Sequence, residues 1–118
     1  MTIEIVLVVE DEIIIRLNAV QIIEDAGYTA LEARNADDAI KILEQRGDID
    51  VVFTDVNMPG TMDGLEMARA IHRRWPPIAL IVTSGKILPT PAEMPSGSFL
   101  PKPYAGQQLA DALHAISA

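Results

Sequence analysis

The sequence predicts an α/β domain: a doubly wound parallel sheet of five strands with helices on both faces. Three observations carry that reading. Five short β-prone runs alternate with segments whose apolar residues recur at helical spacing. The runs are apolar almost throughout, which suits strands covered on both faces. Several of them stop at a polar or charged side chain, as expected where strand ends open into ligand-carrying loops.

Ile3-Glu4-Ile5-Val6-Leu7-Val8-Val9 reads as the first strand, ending in Glu10, Asp11 and Glu12. A helix is predicted over Ile13 to Ala26. Ile15, Ala19, Ile22, Ile23 and Ala26 share one face, and Gly27 supplies a left-handed stop. Ile13, Ile14 and Leu17 fall off that face, so some of them are expected to be exposed near the helix start. Thr29 to Ala33 form the second strand. Asn35 caps a second helix running to about Gln45, with Asp37 and Asp38 in its first turn and Gly47 at its end.

Val51-Val52-Phe53-Thr54-Asp55 is the third strand, and the Met58-Pro59-Gly60 turn that follows leaves Asp55 at its carboxyl end. Asp63 starts a helix through Arg74, with Leu65, Ala68 and Ile71 inward. Trp75-Pro76-Pro77 breaks it. Ile78 to Thr83 is a fourth buried strand, stopped at Ser84-Gly85. The stretch from Lys86 to Gly97 holds Pro89, Pro91 and Pro95, each costing ~3 kcal/mol inside a helix. It is predicted to be a loop, with at most one turn around Pro91 to Met94. Ser98-Phe99-Leu100 is a short fifth strand running into Pro101-Lys102-Pro103. A last helix spans Gly106 to Ile116, with Leu109, Ala112, Leu113 and Ile116 inward.

The chain has 118 residues, which fits one domain with one core, and 49% hydrophobic residues, which excludes a disordered chain. No apolar run approaches a membrane span, and the start lacks a basic region and a cleavage site. With no cysteine, neither disulfides nor thiolate metal sites are available. A net charge of −8 argues against a nucleic-acid surface. A cytoplasmic domain without an attached output domain is the simplest expectation.

The strand ends gather Glu10 and Asp11 after the first strand, Asp55 after the third, Ser84 after the fourth and Lys102 after the fifth. All fall at one edge of a parallel sheet. Carboxylates that close repel, and one is driven neutral unless a cation sits among them. A hard divalent ion such as Mg²⁺ answers this, because it prefers oxygen ligands. Lys102 adds a point charge and Ser84 a hydroxyl. Such a set can hold a phosphoryl group on an aspartate, since phosphoryl transfer needs mostly positioning and charge neutralisation. Simpler roles stand beside these: Asp55 as a turn opener, Glu10 and Asp11 as partners of a helix dipole, Ser84 as a turn residue and Lys102 as a solvated charge. His72 and His114 have no partner pattern and read as surface residues.

The pattern Val9-Glu10-Asp11-Glu12, Asp55 with Met58-Pro59 and Asp63-Gly64, Ser84-Gly85 and Lys102-Pro103 resembles the receiver domain of two-component response regulators, of the stand-alone type. The resemblance covers essentially the whole chain and implies a flavodoxin-like strand order 2-1-3-4-5. It implies that Asp55 accepts a phosphoryl group from a phosphohistidine on a histidine kinase or histidine phosphotransfer protein. Asp11, Asp55 and the backbone carbonyl of Asn57 would bind Mg²⁺ (or Mn²⁺ in its place), with Glu10 assisting directly or through water. Lys102 and Ser84 would hold the phosphoryl oxygens. Phe99 matches the aromatic that turns inward when the Ser84 hydroxyl moves, although plain core packing explains it as well. The Lys102-Pro103 bond is often cis in such domains, and the sequence leaves its isomer open.

This chain departs from the family in the proline-rich stretch from Lys86 to Gly97, where a full fourth helix is usual. The signalling face formed there is expected to be remodelled. Ile13, Ile14 and Leu17, next to the acids, are candidate docking residues for the phosphodonor. Two other functions compete. A phosphatase of the haloacid dehalogenase type also uses a strand-end aspartate, Mg²⁺, a hydroxyl and a lysine, but needs a second acid where this chain has Asn57. A receiver-like module that binds its partner without phosphorylation would keep the fold alone.

Overall fold

The computed structural model describes residues 2–56, 64–85 and 98–117. Its elements alternate in the order β1 (Ile5–Val9), α1 (Ile13–Asp25), β2 (Thr29–Ala33), α2 (Ala36–Gln45), β3 (Val51–Asp55), α3 (Gly64–Arg74), β4 (Ala79–Ser84), β5 (Ser98–Pro101) and α4 (Gly106–Ser117). The five strands form one parallel sheet in the order β2-β1-β3-β4-β5. The expected fold class and strand order are both found.

Strand alternation divides the core into two layers. Leu7, Val9, Val52, Leu80 and Val82 face α2 and α3, where they meet Ala39, Leu43, Met67 and Ile71. Val6, Val8, Val51, Phe53 and Ile81 face α1 and α4, where they meet Ala19, Ile23, Leu109 and Leu113. Both faces being covered explains why the central strands are apolar throughout. The chain winds outward from β1 in one direction and from β3 in the other. The boundary between those strands is the crevice where open α/β sheets take ligands.

Local chemistry accounts for the element ends. The Asn35 side chain accepts from the Asp38 amide at 2.8 Å, which caps α2 as expected. After α1, Gly27 adopts φ 99°. The Gly27 amide donates to the Glu24 carbonyl at 3.0 Å and the Tyr28 amide to the Ile23 carbonyl at 3.2 Å, a Schellman closure. Boundaries move little from expectation. β1 starts at Ile5 because the Glu4 and Ile5 amides are both taken by Asp50 Oδ2, at 2.8 and 3.1 Å. β4 runs one residue further, through Ser84. On α1, Ile15, Ile22 and Ala26 are only half-buried, as is Leu65 on α3, where Met67 takes the buried position instead. Asn57, the Met58-Pro59 pair, Asp63 and the predicted loop from Lys86 to Gly97 lie outside the described residues.

Candidate functional site

The carboxyl ends of β1, β3 and β5 place Glu10, Asp55 and Lys102 in one pocket. Val9 of β1 pairs with Thr54 of β3, so Glu10 stands level with Asp55. Both are buried, at 4% and 7% exposure, whereas Asp11 is exposed at the rim. Carboxylate oxygens of Glu10, Asp11 and Asp55 lie within 4.8 Å of one another. Lys102 Nζ donates to Asp55 Oδ2 at 2.7 Å and to Glu10 Oε1 at 3.2 Å, with 22% of its side chain exposed. The Lys102 amide donates to the Ser84 carbonyl at 2.9 Å, which fixes the lysine to the end of β4. The Lys102–Pro103 peptide is cis.

The charges in this pocket are out of balance. Burial, then the Asp11 side chain and the Asp55 charge, push the Glu10 carboxyl from 4.5 up to about 7. Burial alone pulls the Lys102 ammonium down. The Asp55 and Glu10 carboxylates outweigh it, and its pKa ends above the ordinary lysine value. Three carboxylates and one ammonium leave excess negative charge in a partly dry site. An all-oxygen donor set of this kind fits a hard divalent cation.

Two neighbours hold the acids in place. Gly64 opens α3, and its amide donates to the Val56 carbonyl at 3.0 Å. A Cβ at this position would overlap the Asp55 backbone carbonyl, so only glycine lets α3 close against the end of β3. Arg16, on α1, is 9% exposed. It donates from Nη1 to the Glu10 carbonyl at 2.9 Å and from Nε to Glu32 Oε1 at 3.0 Å. That guanidinium ties the acid loop to β2 and α1. Spacing alone makes Arg16 a solvent-facing helix cation, and its partner Glu32 lies on β2, so no local pattern signals the role.

Hydroxyls occupy both faces of β4. Ser84 is buried and shares a face with Val82, and Phe99 packs against that layer one row below it on β5. Thr83 pairs with Asp55 in the β3–β4 ladder and stands on the opposite face, towards α1 and α4. The sequence pattern singles out Ser84, whereas the strand register sets Thr83 beside Asp55. The carbonyl of Asn57, the remaining expected ligand, lies outside the described residues.

Ile13, Ile14 and Leu17 are exposed by 59%, 80% and 50%, as their place off the buried face of α1 suggested. Of the three, Ile14 borders a groove of about 350 Å³ lined also by Ile15, Asn18, Lys102, Pro103 and Tyr104. The Tyr104 ring stands edge-on to Phe53 at 5.6 Å and forms the groove floor next to Lys102. His114 is exposed and stacks at a tilt on Tyr28, 5.8 Å between centroids, while His72 is half-buried on α3. Among the described residues, no helix is long and apolar enough to cross a membrane.

The family model for the response regulator receiver domain matches residues 6–114. Sensor kinase CckA of Brucella abortus is 38% identical over 113 residues, covering 89% of this chain and 12% of that protein. The nitrogen assimilation regulatory protein NtrX of Azorhizobium caulinodans is 34% identical over 109 residues, covering 88% and 24% respectively. The chain thus spans a small part of these relatives. Among solved structures, a response regulator receiver domain protein from Clostridium thermocellum superposes with a TM-score of 0.85 at 28% identity, covering 96% of this chain and 93% of that one. The receiver domain of the hybrid histidine kinase CckA gives 0.81 at 30% identity, covering 97% and 99%.

Proposed function

The chain belongs to the family of response regulator receiver domains, and on that premise we propose that it accepts a phosphoryl group on Asp55 from a phosphohistidine. The observation that carries this reading is the Lys102 ammonium, held 2.7 Å from Asp55 and 3.2 Å from Glu10. It joins three strand ends into one pocket where negative charge can gather.

Asp55 is the nucleophile. One of its oxygens forms the new P–O bond as the P–N bond of the donor breaks and its electron pair returns to the imidazole nitrogen. Lys102 follows the charge that builds on the phosphoryl oxygens, and a half-buried ammonium acts there with less solvent screening than a surface one. Thr83, level with Asp55 on the same face, supplies a hydroxyl from the end of β4, while the expected Ser84 stands on the opposite face. The Ser84 position on the Phe99 face lets movement of one make room for the other, which gives a route from phosphorylation to the β4–β5 surface. Glu10, Asp11 and Asp55 would hold Mg²⁺, with Mn²⁺ as a substitute and the Asn57 carbonyl as a further ligand. The ion would neutralise charge between the carboxylates and the incoming phosphoryl group. The chain acts on itself here and turns over no free substrate.

The donor is a histidine kinase or a histidine phosphotransfer protein, which places the domain in the cytoplasm. Ile13, Ile14 and Leu17 stand beside the pocket as an apolar landing site for it. The output passes through a further protein by phosphorylation-dependent binding, or the domain shuttles or drains phosphoryl groups. The phosphatase alternative needs a different family, and the match over residues 6–114 leaves it without support. Acetyl phosphate with Mg²⁺, followed by intact mass, tests the reading. A gain of one phosphoryl group in the wild type and none in Asp55→Asn is expected. No gain in either would leave a binding module that works unphosphorylated.

A further inference from the structure

Glu32 lies outside the pocket, yet it bears on the acid loop. It stands on β2 level with Val8 of β1, one residue before the end of its strand. Its Oε1 accepts from Arg16 Nε at 3.0 Å, and 42% of its side chain is exposed. The Glu10 amide donates to the Ala33 carbonyl at 3.1 Å, and the Glu10 carbonyl accepts from Arg16 Nη1 at 2.9 Å. Each end of Glu10 is thus tied to β2, one through the backbone and the other through the guanidinium. That group is planar, so a carboxylate on Nε fixes the direction in which Nη1 points. Without the carboxylate, the nearly buried cation is left on a neutral carbonyl, and water draws its head outward.

We propose that Glu32 is a positioning residue for the divalent-cation site, acting through Arg16. The proposal rests on the reading above that Glu10, Asp11 and Asp55 hold Mg²⁺. The oxygen that Arg16 holds belongs to the peptide joining Glu10 to Asp11. Rotation of that peptide would swing the two carboxylates apart, whereas their oxygens now lie within 4.8 Å of each other and of Asp55. Partners that orient the ligands of a metal site contribute about 10–100-fold in affinity without touching the ion. Charge and position pull in opposite directions at Arg16. A cation beside a metal site repels the ion, so its removal tightens Mg²⁺ if charge alone matters. Its removal loosens Mg²⁺ if the guanidinium holds the acid loop in place. Glu32 then governs affinity from β2, because it sets where that guanidinium points.

The test measures Mg²⁺ affinity by calorimetry, with urea unfolding in EDTA alongside. The proteins are the wild type, Glu32→Ala, Glu32→Gln, Arg16→Met and the double variant of Glu32→Ala with Arg16→Met. Glu32→Ala should weaken Mg²⁺ about tenfold. Glu32→Gln loses the same charge but keeps an oxygen facing Nε, and should bind close to the wild type. The double variant should bind no more weakly than Arg16→Met, because Glu32 reaches the site only through the guanidinium. Equal weakening in Glu32→Gln and Glu32→Ala would overturn the proposal, since loss of charge would then explain both. Unchanged Mg²⁺ affinity in Glu32→Ala, with stability alone reduced, would overturn it too and leave a staple between β2 and α1. Additive weakening in the double variant would do the same. A wild type that binds no Mg²⁺ would overturn the metal-site reading itself, and the proposal with it.

Discussion

Glu10→Gln should stabilise the metal-free protein above neutral pH and do nothing below pH 5. Burial, Asp11 and Asp55 raise the Glu10 pKa from 4.5 to about 7. A carboxyl whose folded pKa lies above its unfolded value holds its proton more tightly when folded. Its contribution to stability is full below about 4.5 and is lost as the pH rises through about 7. At 1.36 kcal/mol per pH unit, the loss over that window approaches ~3 kcal/mol. Glutamine keeps the shape and stays neutral throughout, so it escapes the loss. Urea unfolding in EDTA at a series of pH values measures it, and the difference between the two proteins isolates Glu10 from the histidines, which both share. Glu10→Gln should lead by ~2–3 kcal/mol at pH 8, and the curves should meet near pH 5. Saturating Mg²⁺ should close the gap at pH 8, because a bound cation stabilises the charged carboxylate. Parallel curves at every pH would refute the reasoning.

Other predictions follow from the neighbours of the acids. Arg16→Met keeps the apolar stem but releases the Glu10 carbonyl and Glu32; it should cost ~2–3 kcal/mol in urea unfolding and weaken Mg²⁺ about tenfold by calorimetry, whereas a loss of stability with Mg²⁺ affinity intact would reduce Arg16 to a helix staple. Gly64→Ala forces α3 off the Asp55 carbonyl; it should lower stability by at least ~2 kcal/mol and disturb the Asp55 amide signals in NMR spectra, and a neutral effect would contradict the close approach. Changing Ile14 and Leu17 to glutamate should slow phosphoryl transfer from a histidine donor while leaving acetyl phosphate reactivity alone. Equal slowing of both would reject the docking patch.

The sequence made the pocket legible because strand direction is fixed once strands and helices alternate. All strands of such a sheet point one way, so residues that end them meet at one edge, and Glu10, Asp55 and Lys102 do. Exposure of Ile13, Ile14 and Leu17 was legible for a similar reason, since the buried face of α1 was already assigned. What escaped depends on partners distant in the chain. Arg16 is buried because Glu32 and the Glu10 carbonyl receive it, and no spacing rule finds that pair. Asp50 looks like another loop acid, yet it binds two amides at the start of β1, on the edge away from the pocket. Thr83 reads as an ordinary strand residue until the register sets it beside Asp55. Met67 outranks Leu65 on α3 because the helix begins against β3 at Gly64, which sets the rotation of its face.

The most direct measurement locates the phosphoryl group. The protein is treated with acetyl phosphate and Mg²⁺, reduced with borohydride, digested and sequenced by mass spectrometry. Reduction of an aspartyl phosphate leaves homoserine, and homoserine should appear at position 55 and at no other aspartate. Homoserine at Asp11 or elsewhere, or none at all from a protein that still binds Mg²⁺, would mean that the Asp55–Lys102 pair is not a phosphoacceptor site.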